Sequence, residues 1–125
     1  VELDPRVGDY AAAIVRDADL LLATAVNLND QQQAMVEAIK KSTIRFLSLY
    51  HELLPHITAL TVEARLIAFD LRAPLSSIAG YCELLLVLES DNLTPAQTEL
   101  LHQIKTAHDF IFNTFTEWVN NRPSI

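Results

Sequence analysis

Ser90-Asp91-Asn92-Leu93-Thr94-Pro95-Ala96-Gln97 ends one helix and begins another. Thr94 is an N-cap residue, Pro95 takes the first helical position, where its missing N–H is no loss, and Gln97 completes a capping box. Beyond it, Leu100, Ile104, Ala107, Ile111, Phe115 and Trp118 recur at steps of three and four, which is one apolar face of a helix. Arg122-Pro123 closes that helix. Ahead of it, Ala64, Ile67, Leu71, Leu75, Ile78, Cys82 and Leu85 form a second such face. Pro74 lies inside this pattern, so a local bend is expected there. Two helices joined by so short a connection form a hairpin.

The N-terminal half is punctuated in the same way. Asn29 with Gln32 forms a second capping box, followed by the face Met35, Ile39, Ser42, Phe46, Leu49 and Leu53, and Pro55 ends or kinks this helix. The helix before it starts at Asp4-Pro5 or at Asp9 and carries Tyr10, Ile14, Ala18, Leu21, Ala25 and Leu28 on one face. The third helix begins between Pro55 and Thr61. Half of the 125 residues are apolar and only two are glycine. A few long helices fit that composition, whereas a sandwich or barrel needs frequent turn signals. The expected fold is all-α, an antiparallel up-and-down four-helix bundle in a single domain over 1–125.

The two halves also resemble each other. Asn27-Leu28-Asn29-Asp30-Gln31-Gln32 aligns with Asn92-Leu93-Thr94-Pro95-Ala96-Gln97 at an offset of 65, which also superposes Ile39-Lys40 on Ile104-Lys105 and Glu52 on Glu117. Upstream the offset is one less, placing Ile14 on Ile78 and Asp19-Leu20-Leu21-Leu22 on Glu83-Leu84-Leu85-Leu86. The chain therefore reads as two repeated helical hairpins, 1–55 and 56–125. Neither can bury its apolar stripe alone.

A net charge of −7 argues against nucleic acid as a partner, and no basic cluster is present. The lone cysteine, Cys82, has no internal disulfide partner and fits a reducing, cytoplasmic setting. No apolar run approaches the ~20 residues of a membrane span. Histidines 51, 56, 102 and 108 lack the spacing of a metal pair, so no metal and no cofactor is expected. Starting at Val1 rather than Met, and without a secretory leader, the chain reads as a piece of a longer protein.

One motif carries chemistry. Ala68-Phe69-Asp70-Leu71-Arg72-Ala73-Pro74-Leu75 resembles the phosphoacceptor box of the sensor histidine kinases, Ser-His-Glu-Leu-Arg-Thr-Pro-Leu, and Ile78-Ala79-Gly80-Tyr81 follows at the family's distance. The likeness spans roughly residues 60–120 and implies the family's dimerisation and phosphotransfer helices. Phe69 stands where the family has its phosphate-accepting histidine, and a phenyl ring offers no nucleophilic nitrogen. Asp70 keeps the acid position without an imidazole to serve. With only Gly8 and Gly80, the chain has no Gly-rich phosphate loop. The resemblance therefore implies a degenerate, non-catalytic signalling module that acts by protein–protein contact or signal relay, with a response-regulator receiver domain or a second copy as partner.

Leu66, Phe69 and Ala73 share a face beside the core stripe. That face either widens the buried stripe, the simpler expectation in a bundle, or forms an exposed contact patch. Arg72 reads as a surface or ion-pairing residue. One alternative function is a histidine-phosphotransfer protein in which His102 takes the phosphate and Lys105, one turn on, neutralises it, although Thr106 replaces the glycine that such sites carry. Another is a plain helical dimerisation domain.

Overall fold

The computed structural model of the chain describes residues 3–56 and 62–120, and only the backbone of Glu63 and Ala64. The regular structure of the described residues is all helical, with no strand. They form four helical arms: α1 (Arg6–Ala23), α2 (Asp30–Leu53), a third arm made of α3 (Val62–Asp70) and α4 (Arg72–Glu83), and α5 (Pro95–Asn120). Pairwise packing runs around a ring. α1 packs on α2 and α5, and α4 packs on α2 and α5. The expected burial of Ala64 and the Arg122-Pro123 stop lie outside the described residues.

The local signals act as their chemistry requires. Of the two starts open to α1, the structure uses Asp4-Pro5, where Asp4 accepts the Arg6 N–H at 2.9 Å. Asn29 and Gln32 form a complete capping box. Thr94 and Gln97 exchange the same two bonds, at 3.1 and 2.9 Å. Pro55 lies in a 3₁₀ turn, Leu54–His56, that closes α2.

The third arm departs from the regular helix expected of it at two points. The helix is interrupted at Leu71, one turn before Pro74. Leu71 keeps right-handed helical dihedrals (φ −66°, ψ −20°), and the Leu71 N–H still reaches the Ile67 carbonyl at 3.1 Å. Pro74 has no N–H for the Asp70 carbonyl and its ring crowds that turn, so the interruption falls there. At its other end the arm finishes in a π turn, Leu84–Leu88, in which the Glu89 N–H bonds back five residues to the Leu84 carbonyl.

The π turn explains the two repeat offsets. At 64 positions apart, Val7 and Leu71, Ala11 and Leu75, Ile14 and Ile78, Ala18 and Cys82, and Leu21 and Leu85 are buried in both halves. Beyond the turn the buried pairs are 65 apart: Gln32 and Gln97, Val36 and Leu101, Ile39 and Ile104, Phe46 and Ile111, Tyr50 and Phe115, Leu53 and Trp118. In the first half, the Thr24 N–H bonds back four residues to Leu20 at 3.2 Å. The second half has one extra residue at the same place. Widening a single turn from four to five residues holds it without rotating the stripes on either side.

The third arm also meets two measures of a membrane span. Arg65–Leu88 is a helical stretch of 24 residues whose best window has a mean hydropathy of 1.4, long and apolar enough by those measures to cross a membrane. Its stripe from Ile67 to Leu85 is buried against its neighbours, 33% of that window is buried in all, and Arg65, Asp70, Arg72 and Glu83 are exposed along it. Length and composition alone do not make it a span.

Candidate functional site

The box residues fall on two sides of the third arm. Leu71 and Pro74 are buried and belong to the core. Phe69, Asp70, Arg72 and Ala73 face outward. The expectation that Leu66 and Phe69 widen the buried stripe is wrong: they are 61% and 65% exposed. At this end the stripe through Ile67 and Leu71 is narrow: among the described residues α3 packs mainly on α2, whereas α4 is flanked by both α2 and α5.

Arg72 is not ion-paired among the described residues. Its guanidinium lies 5.4 Å from the centre of the Phe69 ring, a cation–π contact worth ~0.5–1 kcal/mol at an exposed site. The contact holds both side chains over an open cleft of about 710 Å³ between α2 and the third arm. α2 lines it with Lys41, Ser42 and Arg45. The third arm lines it with the outward box residues Phe69, Asp70, Arg72 and Ala73, the Pro74 ring, Ser76 and Ser77.

The cleft corrects another expectation. The linear sequence has no basic cluster, but the fold gathers Lys41, Arg45 and Arg72 around one opening, with Asp70 the one carboxylate among the lining residues. None of the three cations makes an ion pair among the described residues. Lys41 and Arg45 escaped the sequence reading because they lie far from the box in the chain. Their spacing of four, which puts both on one helix face, was the available signal.

His102 and Lys105 of the phosphotransfer alternative both lie on α5. His102 is exposed. Lys105 turns away from it and bonds Asp109 at 2.9 Å. Asp109 also meets the His108 ring nitrogen Nδ1 at 3.0 Å. Burial pushes the Asp109 carboxyl up, but hydrogen bonds from Lys105 and His108 outweigh it and hold the group below its usual range. His108 itself is buried. It stands 65 positions from Thr43, a buried polar residue of the first half, whose hydroxyl donates to the Ile39 carbonyl at 2.7 Å.

Cys82 is fully buried, and burial pushes its thiol up to about 12. It is therefore a core residue rather than a nucleophile. No group of three or more His, Cys, Asp or Glu side chains suited to a metal occurs among the described residues.

At the far end of the chain's hairpins, the two capping glutamines do more than cap. The Gln97 side-chain amide donates to the Thr24 carbonyl at 2.9 Å and to Asn27 Oδ1 at 2.9 Å. The Gln32 amide donates to the Glu89 carbonyl at 2.7 Å and to Asn92 Oδ1 at 2.6 Å. Asn27 and Asn92 return the bond to Gln97 and Gln32, each at 2.7 Å. Each bond has a counterpart at the repeat offset. Sequence reading identified the capping boxes but not this cross-bracing, which needs the two turns side by side. Comparison with protein-family models, with characterised proteins and with solved structures gives no match.

Proposed function

We propose that the chain is a non-catalytic signalling module of the two-component type, which works by contact with another protein. In this reading it is an antiparallel up-and-down bundle of two repeated hairpins, 1–55 and 56–125. One chain thus supplies what two protomers supply in the histidine kinases it resembles. The observation that carries the reading is the placement of Phe69. It stands at the acceptor position of the box, turned to solvent, with Arg72 over its ring and a cleft beside it. A surface of this kind recognises a partner, and the Phe69 ring at the acceptor position has no atom to receive a phosphoryl group. The paired bonds among Asn27, Gln32, Asn92 and Gln97 support the repeated-hairpin part of the proposal.

The test is incubation with phosphorylated receiver domains. Capture of a receiver that weakens in Phe69→Ala or Leu66→Ala, without label transfer, supports the reading. Acid-labile phosphate appearing on the chain and vanishing in His102→Ala would overturn it. Light scattering addresses the architecture: a monomer is expected, and an obligate dimer sinks the one-chain arrangement.

A further inference from the structure

The repeat provides an internal control for the cleft. Under the offsets that match buried residues in the two halves, the contact of α2 with α4 corresponds to the contact of α1 with α5. There the equivalent place is filled. The rings of Tyr10 and Phe110 meet at 4.3 Å between centres, and the Arg6 guanidinium lies 5.1 Å from the Phe110 ring. Pro74 stands where Tyr10 stands, 64 positions on, and Arg45 stands where Phe110 stands, 65 positions back. Ser76, Ser77 and Ser42 replace Ala12, Ala13 and Ala107. The same seam is thus closed by two aromatic rings on one side of the molecule and left open, polar and cationic on the other.

We propose that the open seam docks an acidic segment of a partner protein that carries an aromatic or other large apolar side chain. The missing ring pair leaves room for such a side chain beside Phe69 and the Pro74 ring. The charges identify its neighbours. The chain carries nine Lys and Arg against sixteen Asp and Glu, yet three of the nine line this cleft with a single carboxylate. Carboxylates flanking the incoming ring complement Lys41, Arg45 and Arg72. Exposed ion pairs are individually weak and screened by salt. The ring therefore supplies most of the affinity, and the charges select the partner and speed the encounter.

A bare phosphate fits less well. The Leu71 and Leu75 N–H groups are spent on the Ile67 and Leu71 carbonyls, and Pro74 has none. These three positions therefore offer no backbone donor to an anion. The proposal deepens the contact reading by naming the partner's chemistry at the same face. Its test uses no receiver domain, so either idea can fail without the other.

The experiment is selection of random heptapeptides displayed on phage against the full chain, followed by fluorescence anisotropy of a selected peptide. Two variants are measured beside the wild type. Arg45→Phe/Pro74→Tyr rebuilds the ring pair that fills the other seam, and Lys41→Gln/Arg45→Gln removes charge while leaving the core packing alone. The expected peptides carry an aromatic residue flanked by Asp or Glu. Their binding weakens by about tenfold in each variant, equivalent to ~1.4 kcal/mol, and weakens again as salt rises. Selection that yields no acidic consensus, or binding unchanged in both variants, overturns the proposal. Full competition by inorganic phosphate overturns it in favour of a small-anion site. A dimer that dissociates in the filled-seam variant overturns it in favour of a second copy.

Discussion

The side-chain amides of Asn27 and Asn92 each donate to the other's backbone carbonyl, both at 2.8 Å. These reciprocal bonds tie the two inter-helix turns together, and Gln32 and Gln97 complete the brace from the buried side. Buried amides with every bond made specify one arrangement, and a half-made set is worse than none.

Gln32→Ala and Gln97→Ala should therefore destabilise the chain by similar amounts, each about 1–3 kcal/mol, because each strands an asparagine amide and a turn carbonyl. Denaturant unfolding followed by circular dichroism measures both. Asn27→Ala and Asn92→Ala should couple by more than ~0.5 kcal/mol in a double-mutant cycle. Simple additivity would mean that the two turns are held independently.

Deleting Val87 from the π turn should be tolerated. The residue is exposed, and its loss converts the five-residue turn into the four-residue turn that the first half has at Thr24. Deleting Ile44, exposed in the middle of α2, should unfold the chain. There no widened turn can absorb the change, and a helix with one residue fewer rotates Phe46, Leu49 and Leu53 by about 100° away from the core. Melting temperatures of the two deletions decide. Equal losses would refute the assignment of the extra residue to this turn.

Phe69→Ala should change stability by no more than about 0.5 kcal/mol, as surface substitutions do. Leu71→Ala, two positions on and fully buried, should lose about 2–5 kcal/mol. Equilibrium unfolding of the two variants provides the comparison. A large loss in Phe69→Ala would assign that ring to folding rather than to contact.

The Cys82 thiol is raised from its ordinary 9.0 to about 12 by burial. A group raised in the folded state contributes its stability in full below the unfolded value and loses it as pH climbs toward the folded one. Between pH 9 and 12 the unfolded thiol ionises first, and stability should fall by up to ~1.4 kcal/mol per pH unit from this group. Burial, together with Asp4 and Asp9, also raises Tyr50, which acts in the same direction. Comparing wild type with Cys82→Ala isolates the thiol. Denaturation midpoints should fall less steeply above pH 9 in the variant, and parallel profiles would contradict a thiol held neutral by burial. Below pH 9, a thiol reagent should react with wild type only at the rate of unfolding.

Much of this molecule is set by signals only a few residues long. A capping box needs four residues, and an apolar stripe needs steps of three and four. Accordingly the starts at Asn29 and Thr94 and the buried positions from Ile67 to Leu85 are legible in the chain, as is the likeness of its halves. Three features are not. The π turn is invisible because an extra residue appears in a sequence only as two offsets, and the backbone decides where to absorb it. Burial of His108 and exposure of Phe69 depend on how wide a face each neighbouring helix covers, which periodicity does not state. The cleft depends on Lys41 and Arg45 meeting Arg72 across two helices, while Tyr10 and Phe110 close the matching seam. The sequence alone determined the helices and their faces, because each rests on residues within one turn of each other. Tertiary packing alone decided which surface stayed open, because an open surface is defined by what other helices leave uncovered.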